Sequence, residues 1–258
     1  MRFASLGSGS GGNALIVEHG NTRLMLDCGF SIRETSARLG KLGLEPSQLT
    51  GILVTHEHDD HASGVFRFAA RHRIPVWLTH GTLRGAQRYI PEAFGAPLLH
   101  VIDSLTSLAI HDLEVHPYPV PHDAEEPVQF VFGDGAHRLG VLTDTGISTP
   151  HIETMLDGCH ALALECNHDL EMLKNGPYAW PLKQRVLGRH GHLDNASSAS
   201  LLAKLEQRHL QHVIALHLSE KNNTPLLAQS SLAGALNCEN EWVGIASQRE
   251  GFDWKQIA

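Results

Sequence analysis

The sequence predicts an α/β fold, an αββα sandwich in which two sheets pack together and helices cover their outer faces. Three observations support this fold class. Strand-like and helix-like segments alternate in both halves of the chain, a run of strands occupies residues 98–143, and no low-complexity linker separates the halves. Two packed sheets with helices outside are one of the few layer architectures that bury every apolar face. We therefore expect residues 1–258 to form a single domain, with no second domain inserted.

The first half begins with two strands and a helix. Residues 14–29 are typical of two strands joined by a turn, and residues 31–43 follow as a helix because Ser31 and Glu34 have the spacing of a capping box. Three more elements follow from their apolar patterns: a buried strand at residues 51–55, a helix at 62–73 and a strand at 74–79.

The second half first continues the run of strands and then alternates. Strands are expected at residues 98–102, 113–120, 128–132 and 137–143, the last two joined by a Gly-Asp-Gly turn. After them we expect helices at residues 148–156, 195–207 and 226–236, alternating with strands at 161–166, 212–217 and 241–247.

Composition limits the classes of function. The 258 residues carry a formal net charge of −8, which excludes a generally basic surface that coats DNA but not a local basic patch. The 19 His residues favour a metal site, since imidazole is the commonest metal ligand. The four Cys form no C-x-x-C pair, and no apolar stretch approaches about 18 residues. We therefore expect a cytoplasmic protein with reduced thiols and no membrane partner.

The segment "THEHDDH" at residues 55–61 directly follows an apolar strand. On a continuation of that strand, His56 and His58 would point the same way, because side chains alternate with period two. Asp60 and His61 would fall where the chain turns into a helix, where they could face a neighbouring ion. A polar helix cap made by Asp59 or Asp60 is the alternative. The complete spacing favours metal binding.

This spacing, T-H-x-H-x-D-H after a hydrophobic strand, resembles the metallo-β-lactamase superfamily. Four later segments follow in the superfamily's order: "LMLDCG" with Asp27, "PVPHD" with His122, "LTDTG" with Asp144 and "IALHLS" with His217. Taken singly, each later His also fits an ordinary core or surface imidazole. The resemblance implies the metallo-β-lactamase fold and two metal ions, one held by His56, His58 and His122, the other by Asp60, His61 and His217. It further implies that Asp144 bridges the ions and that Asp27 buttresses the site.

A two-metal site lowers the pKa of bound water and clamps the oxygens of a substrate. Zn²⁺ fits ligands that are rich in His, while Mn²⁺ is plausible where carboxylates join them. The sequence leaves the choice between the two metals open.

The stretch "ECNHDLEMLKNGPYAWPLKQRVLGRHGHLDN" at residues 165–195 indicates the branch. Together with "LGSGSGGN" near the start and "HLSEKNN" at 217–223, it closely resembles the YycJ/WalJ type of metallo-β-lactamase-fold hydrolases. That resemblance implies a DNA exonuclease of the 5′-to-3′ kind or a generic metal hydrolase. One departure is "HLDN", where we expect Ser before Asn195. Asp194 can still cap the following helix.

The same stretch is similar to ribonuclease Z, in which a Glu after a strand pairs with a His ahead of a helix. Carried over, Glu165 would orient His192, which could donate a proton to the leaving oxygen or stabilise the phosphate. A purely structural hydrogen-bonded pair is the alternative. The predicted catalytic residues are Asp60, Glu165 and His192. His168 and Asp169 fit either a supporting role at the site or a helix cap.

A local basic patch lies between Glu171 and Asp194, where the sequence has no acidic residue. It contains four cations, Lys174, Lys183, Arg185 and Arg189, with Tyr178 and Trp180 between them. Cations can hold phosphates and aromatic rings can stack on bases, although an ordinary surface loop has the same composition. The predicted substrate-binding residues are Lys183, Arg185, Arg189 and Asn195.

The predicted function is a dinuclear metal-dependent hydrolase, a phosphodiesterase or nuclease that acts on DNA like a 5′-3′ exonuclease through a metal-bound hydroxide. DNA is the expected partner, and a small phosphodiester is the second candidate. The alternative is a hydrolase of a small substrate such as a cyclic phosphodiester or a thioester. A non-catalytic metal-bound module is disfavoured because no ligand position is lost. The sequence leaves the oligomeric state open.

Overall fold

The computed structural model describes residues 1–92 and 94–258. In these residues, two seven-stranded sheets pack face to face with helices outside, so the predicted αββα sandwich is confirmed. The strands are β1 Arg2–Gly7, β2 Ala14–His19, β3 Thr22–Leu26, β4 Gly51–Leu53, β5 Val76–Thr79, β6 Leu99–Ile102, β7 Leu108–Ile110, β8 Leu113–Pro119, β9 Val128–Gly133, β10 Arg138–Leu142, β11 Ala161–Glu165, β12 His212–Leu216, β13 Val243–Ile245 and β14 Phe252–Gln256. The helices are α1 Ile32–Lys41, α2 Asp59–Ala62, α3 Val65–His72, α4 His80–Gly85, α5 Pro150–Leu156, α6 Leu170–Asn175, α7 Trp180–Val186, α8 Asn195–Leu202 and α9 Pro225–Leu236.

Each sheet has an antiparallel and a parallel part. The first sheet has the order β14-β1-β2-β3-β4-β5-β6 and is parallel from β3 to β6. The second has the order β13-β12-β11-β10-β9-β8-β7 and is parallel from β10 to β13. In open parallel sheets, ligand sites form outside the carboxyl ends of the strands. The fold therefore offers two such edges, one from each sheet.

Apolar side chains fill the space between the sheets. Phe3, Leu53, Phe130 and Phe132 are fully buried there and belong to one cluster that draws on both sheets. A second cluster lies under α1 and α3 and a third under α5, α8 and α9. Helix α9, with 12 residues, is the longest in the described ranges, and none of the helices described there is long and apolar enough to cross a bilayer, which takes about 20 residues.

Several elements differ from the prediction. Strands β1, β7 and β14 were not expected, because polar and small residues interrupt their apolar patterns, as in "RFASLG" and "FDWKQ". The helix expected at residues 62–73 is two helices, α2 and α3, separated at Ser63 and Gly64. Two short helices, α6 and α7, occupy the basic stretch that had no predicted structure. The predicted caps at Ser31 and Asp194 are confirmed.

Backbone packs directly on backbone where the residues after β3 meet the "THEHDDH" segment, which follows β4. The amide of Cys28 donates to the carbonyl of His61 at 2.8 Å, and the amide of Gly64 donates to the carbonyl of Cys28 at 2.9 Å. A Cβ atom at Gly29 would overlap the carbonyl oxygen of Asp60. Glycine is therefore required at position 29 for this close approach.

We predict that Gly29→Ala destabilises the protein by about 1–3 kcal/mol, because the added methyl must push the backbone of Asp60 aside. Gly40→Ala is the matched control, since a Cβ on that glycine of α1 meets no heavy atom within 4 Å. The control should be neutral or stabilising by up to about 1 kcal/mol. Urea denaturation of both variants measures the difference. Equal stability of the two variants would contradict the close packing.

Candidate active site

The site lies where the carboxyl ends of strands from both sheets meet. Asp27 directly follows β3, His217 directly follows β12, and Asp144 lies two residues beyond the end of β10. Glu165 is the last residue of β11. The "THEHDDH" segment begins two residues after β4, so His56 and His58 lie in a loop and not on a continued strand.

Three of these residues adopt a left-handed backbone. The φ angles of Asp27, Asp144 and His217 are 62°, 51° and 54°. This region is uncommon for residues other than glycine and costs about 1 kcal/mol or more. Such conformations cluster at functional sites, where the surrounding structure holds them. All three occur where the chain leaves a strand, and they are among the residues predicted to form the site.

The first predicted metal set consists of three imidazoles whose nitrogens converge. Nε2 of His56 lies 3.1 Å from Nδ1 of His58, and Nε2 of His122 lies 3.2 Å from that same atom. His56 and His122 are buried and His58 is partly exposed. One nitrogen from each ring therefore faces a common point.

The outward nitrogens show where the ring protons lie. Nε2 of His58 donates to the carbonyl of Asp123 at 3.2 Å, and Nδ1 of His122 donates to the carbonyl of Gly191 at 3.1 Å. Because a carbonyl can only accept, these outer nitrogens carry the hydrogens and the inner ones carry lone pairs. Converging lone pairs are the arrangement that a cation would stabilise.

The second predicted set combines two imidazoles and a carboxylate. Oδ2 of Asp60 lies 3.4 Å from Nε2 of His61 and 3.3 Å from Nε2 of His217. The opposite nitrogen of His61, Nδ1, lies 2.7 Å from Oδ2 of Asp27. The buried Asp27 also accepts hydrogen bonds from the amide and the hydroxyl of Thr55, each at 2.8 Å. Asp27 thereby orients His61 from behind.

Asp144 contacts both sets. Its Oδ2 lies 3.1 Å from Nε2 of His61, while its Oδ1 lies 3.5 Å from Nε2 of His217 and 4.0 Å from Nε2 of His122. The structure thus brings all seven predicted ligands together. In each of three groups, one donor atom per residue lies within 4.8 Å of the others: His56, His58 and His122; Asp60, His61 and His217; and His56, His61 and Asp144. Imidazole and carboxylate donors in these numbers suit a divalent metal.

The charge states of two groups favour metal binding. Burial lowers the pKa of His56 well below its ordinary value, which keeps the imidazole neutral as a ligand must be. Burial alone would raise the pKa of Asp144, but positive charge on the neighbouring His217 and His61 lowers it well below its ordinary range. Asp144 is therefore a carboxylate and can serve as an anionic ligand. Burial lowers the pKa of both imidazoles, but Asp144 and Asp60 raise it above the ordinary value, so a metal ion would displace their protons on binding.

His192 and Glu165 form a close pair beside the predicted ligands. Nδ1 of His192 lies 2.7 Å from Oε1 of the fully buried Glu165, whose Oε2 accepts from the amides of Thr145 and Leu193 at 3.0 and 3.3 Å. Burial opposes protonation of His192, but Glu165 and Asp144 together raise its pKa above the ordinary value. Among the described residues, none is hydrogen-bonded to Nε2 of His192. That nitrogen is therefore free for a substrate.

The site opens into a cavity of about 390 Å³. Its lining includes several predicted residues: His58, Asp59, Asp60, Asp144, Tyr178, Arg185, His192 and His217. Three predicted substrate-binding residues lie outside this lining. Lys183 donates to the carbonyl of Lys174 at 2.6 Å, Arg189 is exposed elsewhere, and the buried Asn195 pairs its amide reciprocally with that of Asn223 at 2.9 Å.

Three other side chains were singled out in the sequence: Asp59, His168 and Asp169. Asp169 directly precedes α6 and accepts a hydrogen bond from the amide of Met172, so its role as a helix cap is confirmed. Asp59 is mostly exposed and pairs with Arg88 at 2.8 Å. His168 is buried, and its Nδ1 lies 3.3 Å from Oδ1 of Asn167.

Sequence reasoning missed three residues at the site. The side-chain nitrogen of Asn13 lies 3.0 Å from Nε2 of His61 and 3.2 Å from Oδ2 of Asp60, which makes the Gly-rich loop part of the site. Asp123 lines the cavity with Oδ1 3.5 Å from Nε2 of His122. The position of Asp123 directly after His122 could have indicated its role. Arg88 lines the cavity without any local sequence signal.

We predict that Asp27→Asn weakens metal binding by about 10–100-fold, because Asn has one acceptor oxygen and cannot accept from both the amide of Thr55 and the ring of His61. Asp134→Asn is the control, since the same substitution in the β9–β10 turn leaves the site intact. Chelator competition measures the affinity of both variants. Unchanged affinity in Asp27→Asn would show that His61 is oriented by other groups.

Comparisons with known proteins identify the family of this chain. Residues 22–217 match the beta-lactamase superfamily domain. The exodeoxyribonuclease YycJ of Bacillus anthracis is 32% identical over 256 residues, covering 99% of this chain and 96% of that protein. The exodeoxyribonuclease WalJ of Streptococcus pneumoniae is 28% identical over 247 residues, covering 95% and 91%.

A solved structure shows the same fold. The metallo-beta-lactamase fold protein YhfI from Bacillus subtilis superposes with a TM-score of 0.74 and 15% identity over 99% of each chain. With the superfamily domain matched over residues 22–217 and such relatives aligned along almost their whole length, this chain belongs to the metallo-β-lactamase-fold hydrolases of the YycJ and WalJ type.

Proposed function

We propose that this protein is a dinuclear metal-dependent phosphodiesterase that degrades DNA as a 5′-to-3′ exonuclease, with residues 1–258 acting as one domain. The observation that carries the proposal is the pair of ligand sets sharing Asp144, next to a His192 that a buried carboxylate supports. The names of the relatives, both exodeoxyribonucleases, support DNA as the substrate.

The two ions are assigned to the two ligand sets. One ion would be held by His56, His58 and His122 and the other by Asp60, His61 and His217, with Asp144 shared. When bound, Zn²⁺ or Mn²⁺ would supply the Lewis acid that polarises a phosphodiester and lowers the pKa of water. Asp27 and Asn13 hold the orientation of His61, so the chain fixes this set before a substrate arrives.

His192 is assigned the role of donating a proton to the leaving oxygen. Its Nδ1 is engaged by Glu165, which leaves Nε2 to carry a proton towards the cavity. Burial opposes protonation of His192, but Glu165 and Asp144 raise its pKa and so favour the protonated ring. The negative charge of Glu165 also stabilises the protonated ring while it awaits the leaving group.

The surroundings of the cavity suit a nucleic acid. Arg185 lies in its lining and can hold a phosphate. Tyr178 also lines the cavity, and Trp180, at the start of α7, is 67% exposed, so its ring is free to stack on a base. Neither feature is needed for a thioester, which carries no phosphate at the reacting group.

The function is tested by comparing three substrates with purified protein in Zn²⁺ or Mn²⁺. We expect 5′-labelled duplex DNA to be shortened from the labelled end, bis(p-nitrophenyl) phosphate to be hydrolysed slowly, and a thioester to be untouched. Metal analysis should find about two ions per chain. Hydrolysis of the thioester with intact DNA would reject the proposal and favour the small-substrate alternative.

We predict that His192→Ala slows DNA cleavage by at least about 10²-fold while metal content and melting temperature stay near the wild-type values. Bis(p-nitrophenyl) phosphate should suffer much less, because its leaving group departs without a proton. Glu165→Gln should give the same pattern more weakly. The matched control is His190→Ala, whose side chain is exposed two residues away and should leave both rates unchanged.

Two results would change the assignment of His192. Loss of a metal ion in His192→Ala would make this residue a ligand. An equal loss of rate on both substrates would replace the proton-donor role with phosphate binding.

A further inference from the structure

Two arginines from opposite halves of the chain line the same cavity. Arg88 lies in the 3₁₀ turn Ala86–Tyr89 after α4, and Arg185 lies in α7. Their side chains are 60% and 58% exposed, so both guanidinium groups reach solvent at the cavity mouth. In the proposed function Arg185 holds a phosphate, and Arg88 has no role.

Each arginine is held by an aspartate that adjoins a proposed metal ligand. Nη2 of Arg88 donates to Oδ1 of Asp59 at 2.8 Å, and Asp59 directly precedes Asp60. Nε of Arg185 donates to Oδ2 of Asp123 at 2.6 Å, and Asp123 directly follows His122. One arginine is thus tied to each of the two ligand sets, and the shared Asp144 lies between the sets.

Arg88 is oriented further by Tyr89. Its guanidinium carbon lies 4.7 Å from the centroid of the tyrosine ring, and its Nη2 lies 2.6 Å from the tyrosine hydroxyl. That hydroxyl in turn donates to Asp59. A guanidinium has five N–H donors, and among the described residues the bonds of Arg88 use only Nη2. The remaining donors are free for a ligand.

These ion pairs contribute little to stability. Solvent screens ion pairs of Arg and Asp that are exposed, so stability does not explain two such pairs around one cavity. The lining carries four carboxylates, Asp59, Asp60, Asp123 and Asp144, against two guanidinium groups. Two divalent cations would outweigh this excess of two negative charges. The loaded cavity would then attract an anion, with the arginines at its two ends.

We propose that Arg88 and Arg185 form a clamp that binds the two backbone phosphates flanking the scissile phosphodiester, one phosphate for each arginine. This inference rests on the proposed function and narrows its substrate to a polynucleotide with at least three consecutive phosphates. A planar guanidinium binds a phosphate through two parallel hydrogen bonds, which fix the orientation of the phosphate in addition to the attraction between the charges. A small cyclic phosphodiester has no flanking phosphates and would leave both arginines unused.

The test uses fluorescence anisotropy with a labelled single-stranded oligonucleotide whose linkages are all phosphorothioate, so that it keeps its charge and resists cleavage. Arg88→Ala and Arg185→Ala should each weaken binding by about tenfold or more and lower the slope of log K against log salt by about 0.7. Arg84→Ala is the matched control, because Arg84 forms an exposed ion pair with Glu125 and lies outside the cavity lining. Its affinity and cleavage rate should equal those of the wild type.

A second set of oligonucleotides assigns the phosphates. Each carries one uncharged methylphosphonate, placed at successive positions from the 5′ end. The wild type should lose affinity when the methylphosphonate lies at either of two positions, one on each side of the cleaved linkage. Arg88→Ala should become insensitive to one of them and Arg185→Ala to the other, because the interaction each would lose is already absent.

The outcomes separate the clamp from the proposed function. If the wild type binds and shortens DNA but Arg88→Ala behaves like Arg84→Ala, the clamp is wrong and the nuclease function stands. If the wild type hydrolyses bis(p-nitrophenyl) phosphate but neither binds nor cleaves the oligonucleotide, the DNA function fails and the clamp fails with it. Melting temperatures near the wild-type value show that a loss of binding is not a loss of fold.

Discussion

The site depends on one buried carboxylate, that of Asp27. Its two oxygens accept hydrogen bonds from the amide and hydroxyl of Thr55 and contact the ring of His61 at 2.7 Å. Burying a carboxylate is costly, and here these hydrogen bonds offset the cost. They also tie the end of β3 to the segment that follows β4. Further hydrogen bonds hold the same loop, from the amide of Cys28 to the carbonyl of His61 and from the amide of Val128 to the carbonyl of Thr55.

The second sheet supplies two of the proposed ligands, Asp144 and His217. Asp144 and His217 follow two of its parallel strands and reach across to His61 and Asp60. Both adopt left-handed backbones, so each carries a conformational cost that the surrounding contacts must overcome. The ligand sets are therefore assembled at the seam between the sheets, and the packing of the sandwich determines their spacing. The packing that stabilises the core therefore also holds the ligand sets in place.

Local sequence patterns predicted the residues of the site more completely than they predicted the strands of the two sheets, because β1, β7 and β14 were missed. "THEHDDH" places four donors within six residues, so one motif indicates both ligand sets, and the later His and Asp residues were recognised by their order. Asn13 was missed because its contact with His61 joins residues that are far apart in sequence, and the Gly-rich loop carries no pattern that predicts such a contact. Arg88 was missed for the same reason. Lys183 and Arg189 have the right charge, but Lys183 donates to the carbonyl of Lys174 and Arg189 lies beyond the end of α7, so only Arg185 of the three lines the cavity.

The pairing of β1 with β14 has a consequence for how the protein folds. Arg2 is opposite Gln256 across this antiparallel pair, so the first sheet joins the two most distant parts of the chain. Contacts between residues so far apart in sequence form slowly, since the entropy of closing the intervening loop is lost before the contact is gained. A nascent chain that already contains all seven proposed ligands still lacks the last strand of the sheet that carries four of them. We therefore expect the pairing of β1 with β14 to form late in folding.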